Sequence, residues 1–347
     1  MRHEENHRLL TAYYGNEIPR DAWSRFVKNH PQGTVFQTPE MFDLYSGIPH
    51  CKSLAIAIFE DGDEKQIKLR GILLAEIVSN GPLFIKPLTA RSIIIGGPLV
   101  DNRDDNALVW SLLFKEYKKR LPWYVVYTEI RPVYEMIDNA QQLKLAGFSR
   151  KGHYNLMMDV SRDEDELWAG MHKERRRNVS HAQNAGLSWR EITEDADIEI
   201  AIGLIKQTYK RKKVPLSDLE LFKQAKTQLG EYVHWFAAYI DDKMIASQLR
   251  LCYNELVYAW YAASDEAYFK QRPNDFLTWN VLCWAHNNGY RTYDFGGGGE
   301  PGKPYGVRDY KLKYGCEMYD YGRYLYLHKP FIYKLGEVGV KVLKLKK

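Results

Sequence analysis

The residues best suited to chemistry lie together late in the chain. They are Tyr293-Asp294-Phe295, the run Gly296-Gly297-Gly298-Gly299, then Gly302, Tyr305, Arg308, Lys311 and Lys313. Glycine loses the most conformational freedom on folding, so four in succession mark backbone that bends sharply or approaches a ligand closely. N–H groups bared in such a run can converge on an anion. A following cation, Lys311 or Arg308, would complement a phosphate or a developing oxyanion. Each residue also has a plainer reading. Asp294 could cap the glycine loop instead of taking a proton, Lys311 could pair with Asp309, and the glycines could form a surface turn. Read with their neighbours, the glycines are expected to be the tight turn ending the strand that carries Asp294. That turn would let Arg308 and Lys311 swing back over a groove.

The elements that must hold these residues follow from periodicity. In the first half the pattern predicts a helix over 19–30 and a strand-turn at Thr34-Val35-Phe36-Gln37-Thr38. β-rich runs at 54–59 and 67–77 flank the hairpin signal Asp61-Gly62-Asp63. A strand over 92–95, a helix over 107–121, a strand over 124–130, a helix over 134–145 and a closing strand over 154–160 complete that half. The second half repeats the order: a hairpin 233–252, a strand 255–262, a helix 276–287, a strand 292–295 and a last strand 317–327. Between the halves, 163–186 reads as one helix with Ser161 and Glu164 as a capping box and Gly186 as its stop. Its polar faces carry His172, Lys173, Arg175, Arg176, Arg177 and His181. A second helix, 196–209, runs into Lys210-Arg211-Lys212-Lys213, which suits a helix C-terminus. Shared order at a fixed offset predicts a duplicated α/β unit, each copy a mostly antiparallel mixed sheet flanked by helices.

Length and composition set the outer bounds. A chain of 347 residues predicts two domains, expected at 1–158 and 159–347. Tyr and Trp are abundant, 25 and 9, and suit grooves for amphipathic ligands as well as cores. A net charge of +5 fits an anionic partner without requiring one. Four cysteines without a close pair argue against a zinc site and a disulfide scaffold, so a reducing, cytoplasmic setting and no metal are expected. The charged N-terminus leads into no apolar signal segment, and no apolar run reaches a membrane span. The tail 331–347 alternates apolar residues with lysines. It is either an amphipathic helix packed on the second domain or a peripheral contact with the inner face of a membrane. Gly-x-Ser-x-Gly, His-Glu-x-x-His and the phosphate loop Gly-x-x-x-x-Gly-Lys-Ser/Thr are all absent, and the glycine run has the wrong spacing for a dinucleotide site. What remains is chemistry by positioning, in which an activated group held by backbone and cations passes to an amine.

Asp294-Phe295-Gly296-Gly297 followed by Tyr310-Lys311 and Tyr314-Gly315 resembles the strand, loop and "Phe-Lys…Phe-Gly" signature of the Fem family. Lys173 to Val179, with Ala182 and Ala185-Gly186-Leu187, is similar to the basic helix opening that family's second half, and Thr34 to Thr38 resembles its N-terminal strand-turn. The resemblance covers about Trp23 to Leu327. It implies two tandem GNAT-like domains and an acyl- or aminoacyltransferase acting on an amine of a peptidoglycan or nucleotide-sugar precursor. Lys311 would then stabilise the oxyanion and Asp294 accept the amine proton. Arg308, Gly296, Gly297, Gly298, Tyr305, Arg175, Arg176 and Gln37 would bind substrate or donor. No tightly bound cofactor is implied; aminoacyl-tRNA or acyl-CoA would be the co-substrate, and a small or lipid-linked amine the acceptor. Two features depart from relatives. No coiled-coil arm for tRNA appears, and Phe269-Lys270-Gln271-Arg272-Pro273-Asn274 stands where acetyl-CoA-dependent enzymes carry Gln/Arg-x-x-Gly-x-Gly/Ala. Two other readings stay open: a non-catalytic ligand-binding module, and RNA binding through 172–181 and 210–213 with strong salt dependence. An acyl-CoA-dependent enzyme of unrelated substrate is a third.

Overall fold

The computed structural model describes residues 9–61, 67–79, 85–103, 105–136, 139–216 and 218–336. The chain divides into two compact units, Met1–Lys151 with Gly322–Lys347, and Gly152–Tyr321. This differs from a cut at 158/159. The strand expected to close the first half pairs in the second sheet, and the far end of the chain returns to the first.

In the first unit, β1 (Leu10–Tyr14) is followed by helices α1 (Arg20–Asn29) and α2 (Pro39–Gly47). Then come β2 (Cys51–Asp61), β3 (Ile67–Val78), α3 (Lys86–Thr89), β4 (Arg91–Ile95), β5 (Leu99–Val100) and α4 (Asn106–Arg120). Strand β6 (Tyr127–Arg131), helix α5 (Ala140–Leu145) and β7 (Ser149–Lys151) follow. Strand β15 (Arg323–Leu327) inserts between β6 and β7, giving the order β1-β2-β3-β4-β6-β15-β7 with β5 on β3. Among the described strands of this unit only β4 and β6 pair in parallel; the other neighbours are antiparallel. Apolar residues of α4, among them Trp110, Leu113 and Phe114, cover the sheet face that carries Ile56, Ile58 and Leu73. The buried Tyr117 hydroxyl is satisfied by donating to Ser92 Oγ at 2.7 Å, with Thr128 Oγ1 at the same distance. The expected strand-turn at Thr34–Thr38 is a 3-10 turn. Thr34 and Gln37 form a capping box across it, which satisfies N–H groups that a strand edge would have left bare.

The second unit runs β8 (Tyr154–Asp159), α6 (Glu164–Gly170), α7 (Lys173–Asn184), β9 (Ser188–Glu191), α8 (Asp195–Lys212) and α9 (Leu219–Leu229). It continues with β10 (Val233–Ile240), β11 (Lys243–Tyr253), β12 (Leu256–Ser264), α10 (Pro273–Asn287), β13 (Thr292–Gly299), α11 (Gly306–Leu312) and β14 (Glu317–Asp320). The sheet order is β14-β8-β13-β12-β11-β10-β9. Again one pair, β12 with β13, is parallel. Its core gathers Val179 and Ala182 of α7 with Leu277, Val281 and Leu282 of α10 against Phe236, Ala238 and Val257.

Three local expectations change. The single helix 163–186 breaks at Met171-His172. There His172 caps α7, and its N–H donates to Lys313 O at 2.9 Å, a contact an unbroken helix would forbid. Asp163, not Ser161, caps α6; the Ser161 hydroxyl donates to Asp159 instead. The expected last strand is two strands in different sheets, separated by Tyr321-Gly322 with Gly322 at φ +71°. Of the basic tail, 331–336 is helical, and the remainder lies outside the described residues.

Candidate active site

The site is built where β12 and β13 part. The two strands pair only from Leu256↔Thr292 to Tyr258↔Asp294. Past Asp294, β13 leaves β12 but stays paired with β8 through Gly297 and Gly299, its register slipping twice. The four glycines are therefore a bent strand and not the turn expected from sequence. Gly296 and Gly299 adopt φ +76° and +79°, the left-handed region where a side chain is strained. Gly298 lies so close to β8 that an added Cβ would meet Tyr154 at 3.1 Å. One at Gly299 would meet the Tyr305 ring at 3.0 Å.

Helix α11 folds back over this divergence. Lys311 Nζ donates to Gly297 O at 3.0 Å. Burial pulls its ammonium down to about 8, against the opposing pull of the Asp294 charge. Asp294 is fully buried, and one carboxylate oxygen accepts the Gly296 N–H at 2.6 Å. Burial pushes that carboxyl up to about 6; the Gly296 N–H, Lys311 and Asn155 oppose it less strongly. Its second oxygen, Oδ2, has no hydrogen bond of full geometry. Asp294 thus caps the glycine strand through one oxygen, the plainer of its two expected readings, while the other oxygen has no such bond. Lys311 bonds to the bent strand, not to Asp309.

A cavity of about 450 Å³ within this unit reaches Lys311, walled by Trp260, Tyr261 and Phe269, with Arg211 and exposed Lys212 also lining it. Arg250 lines it too, buried to 3 % exposure. Its guanidinium donates to the Leu249 and Tyr261 carbonyls at 3.0 Å and to Gln248, all neutral acceptors. Its Nε has no partner, and no carboxylate pairs with it among the described residues. Lys311 and Arg250 give the cavity wall a surplus of positive charge that suits an anionic group or a developing oxyanion. The sequence reading missed Arg250. The signal was an Arg set with Gln248 in a strand otherwise reading Met244-Ile245-Ala246 to Leu251-Cys252.

Arg175 lies at the centre of a buried hub. It pairs with Asp275 and stacks over the Tyr310 ring at 4.3 Å. Asp275 also accepts from the Tyr310 and Tyr314 hydroxyls, each at 2.9 Å, and from Asn178 at 2.7 Å. These contacts fix α11, and with it Lys311, to α7 and α10. Arg175 is thus committed to the fold rather than offered to a ligand. Arg176 donates to Ala169 O at 3.3 Å. Arg308 donates to the Lys303 carbonyl at 2.7 Å and reaches those of Gly298 and Glu300, both at 3.4 Å, which closes the loop after the glycines. Tyr305 caps α11 beside Gly299 and is 40 % exposed. Gln37 belongs to the first unit, fully buried. It accepts from Thr34 N and donates to Gly97 O at 3.3 Å, so both ends of its amide are engaged within the fold. All three cysteines of the second unit are pushed up to about 12 by burial, which makes thiolate nucleophiles of none of them. Among the described residues no group of metal-ligating side chains assembles, and no helix is long and apolar enough to cross a membrane.

A sheet splayed between two parallel strands, with a cavity at the splay, is the layout expected of a GNAT-like domain. Residues 170–312 match the family model described as an acetyltransferase (GNAT) domain, so the second unit carries such a domain and the protein is an acyltransferase. The whole chain shares its fold with a crystal structure of FemX, at TM-score 0.71 and 17 % identity over 94 % of this chain and 99 % of that one. A tandem GNAT protein from the clavulanic acid biosynthesis pathway superposes at TM-score 0.55 and 12 % identity, covering 92 % and 98 % of the two chains. So does the C-terminal domain of a proposed lysylphosphatidylglycerol synthetase from Agrobacterium fabrum, at TM-score 0.55, 12 % identity and 92 % and 95 % coverage. No curated protein matches the sequence significantly. The expected tandem GNAT architecture, each unit a mixed sheet flanked by helices, is what the structure has.

Proposed function

We propose that the protein transfers an acyl or aminoacyl group to an amine of a cell-envelope precursor, of peptidoglycan or nucleotide-sugar type. The observation that carries this reading is Lys311 at the splay, bonded to the bent strand and lining the cavity, with Asp294 buried on that same strand. The likeness to FemX in fold and the Phe-Lys-like motif support the choice of substrate class. The donor is a co-substrate, aminoacyl-tRNA or acyl-CoA. Arg211 and Lys212 supply positive charge suited to its phosphates.

In the transfer, the amine nitrogen forms a bond to the donor's carbonyl carbon and the carbonyl oxygen becomes an oxyanion. The carbon's bond to the ester oxygen or thioester sulfur then breaks, and the leaving group departs with the electron pair. Protonated Lys311 supplies the cation that stabilises the oxyanion in this reading. Asp294 Oδ2, the carboxylate oxygen left without a hydrogen bond of full geometry, is the final acceptor of the proton the amine must lose, reached through a relay because Asp294 does not line the cavity. A carboxylate raised to about 6 is a stronger base than an ordinary one yet still ionised at neutral pH. Lys311, at about 8, is still mostly protonated there. The two opposite shifts leave both groups in working form between them. Gly296, Gly297 and Gly298 supply the bent backbone that Lys311 touches, Arg308 and Tyr305 hold the loop behind it, and Arg175 positions α11 from the hub. The test is transfer from alanyl-tRNA or acetyl-CoA to a UDP-linked muropeptide with a free lysine amine. Binding of both substrates with no transfer by the wild-type protein would favour a non-catalytic module instead.

A further inference from the structure

One end of the first sheet brings together three segments without a single acidic residue: 85–100, 117–128 and 321–336. Strand pairing dictates the convergence. Arg91 of β4 lies opposite Tyr127 of β6, and Tyr127 opposite Leu327 of β15, so the starts of two strands and the end of a third fall side by side. Backbone bonds extend the alignment past the strands: Val126 N donates to Ala90 O at 2.8 Å, and His328 and Lys329 N donate to Val126 O at 2.9 and 3.0 Å.

Four large apolar side chains project from this end, Leu88 at 58 % exposure, Trp123 at 76 %, Phe331 at 75 % and Leu335 at 56 %. Tryptophan is rarely so bare on a soluble surface, and a rim of such tips marks an interaction site. Cations flank them. Lys329 Nζ stands 4.8 Å from the Trp123 ring centre, Lys86 Nζ 5.9 Å from that of Tyr124, and Lys334 is exposed on the same helical turn as Phe331 and Leu335. A loop-borne Trp and a Phe each three-quarters exposed are shaped to enter a soft layer. Long lysine stems beside them can keep their ammonium groups at the level of phosphates.

We propose that this end of the first sheet docks on an anionic lipid surface. Trp123 and Phe331 enter the boundary between headgroups and acyl chains, and Lys86, Lys329 and Lys334 meet lipid phosphates. The idea is independent of acyl transfer, and its failure leaves that reading untouched.

Co-sedimentation of the full chain with vesicles of phosphatidylcholine alone, or mixed with phosphatidylglycerol, tests it. The wild-type protein should bind the mixed vesicles and not the neutral ones. With each lysine near an anionic surface worth ~1 kcal/mol, Lys329→Ala with Lys334→Ala should weaken binding about thirtyfold. Brominated lipid should quench wild-type tryptophan fluorescence, and Trp123→Ser should remove most of that quenching. All these positions are on the surface, so folding and transfer to a soluble acceptor should be unchanged. Equal binding to both vesicle types, no binding to either, or full binding by the lysine and tryptophan variants would each overturn the proposal. Capture of a soluble protein lost in Trp123→Ser, with no vesicle binding, would overturn it in favour of a protein partner.

Discussion

Replacing Lys311 with Met keeps most of the side chain's length and removes its charge together with the hydrogen bond to Gly297 O, and its consequences for chemistry and for stability can be read separately. The ammonium falls from an ordinary 10.5 to about 8 in the folded protein. At ~1.4 kcal/mol per pH unit, the fold holds that charge at a cost of about 3 kcal/mol. Because the folded value is the lower one, the cost is full at neutral pH and fades as pH rises from about 8 towards 10.5. Lys311→Met should therefore melt no lower than wild type at pH 7, with its advantage shrinking in alkali. Catalysis should move the other way. Losing one charge-stabilising donor in a preorganised site costs ~10²–10³ in kcat, and KM should change little because the oxyanion exists only beyond the ground state. The wild-type rate should also fall on an alkaline limb near pH 8 that the variant lacks. The assay is steady-state transfer to the muropeptide acceptor across pH, with denaturant melts of both proteins alongside. A variant within tenfold of wild-type kcat that keeps the alkaline limb would refute the reasoning.

Asp294→Asn should remove the acid limb near pH 6 along with most activity. The carboxyl is raised in the fold, so it contributes most to stability below its unfolded value and loses that contribution as pH rises through about 6. The Asn variant should therefore equal or exceed wild type in thermal melts at pH 7, and a loss of several degrees there would count against the burial argument. Asp275→Ala removes the buried carboxylate that Arg175, Asn178 and the Tyr310 and Tyr314 hydroxyls share, leaving Arg175 only the longer contact to Glu174 and the two hydroxyls only each other, and should cost ~3–5 kcal/mol in urea unfolding; a loss under 1 kcal/mol would mean the hub is not what fixes α11. Gly302 and Gly315 both have φ above +70°, but only at Gly315 would a Cβ strike backbone, the Gly170 oxygen at 2.7 Å. Gly302→Ala should cost about 1 kcal/mol and Gly315→Ala two to three times that, an ordering that paired melts can reverse.

Much of this protein is set by sequence. Period-two and period-3.6 patterns place the strands and helices of both units because apolar burial at those periods is a local property of the chain. The Asp294 to Lys311 stretch identifies itself by residue types that are costly without a purpose. The sheet memberships of Tyr154–Asp159 and Arg323–Leu327 were not legible, since strand partners are chosen by contacts far apart in sequence. The glycines read as a turn because a turn is the commonest use of glycine; only pairing with β8 made them a bent strand. Arg175 and Gln37 looked available for ligands because sequence shows that a group is polar but not what it faces. The perturbed charges of Lys311 and Asp294, and the uncompensated Arg250 beside them, arise from burial, and burial exists only once the chain has closed around them.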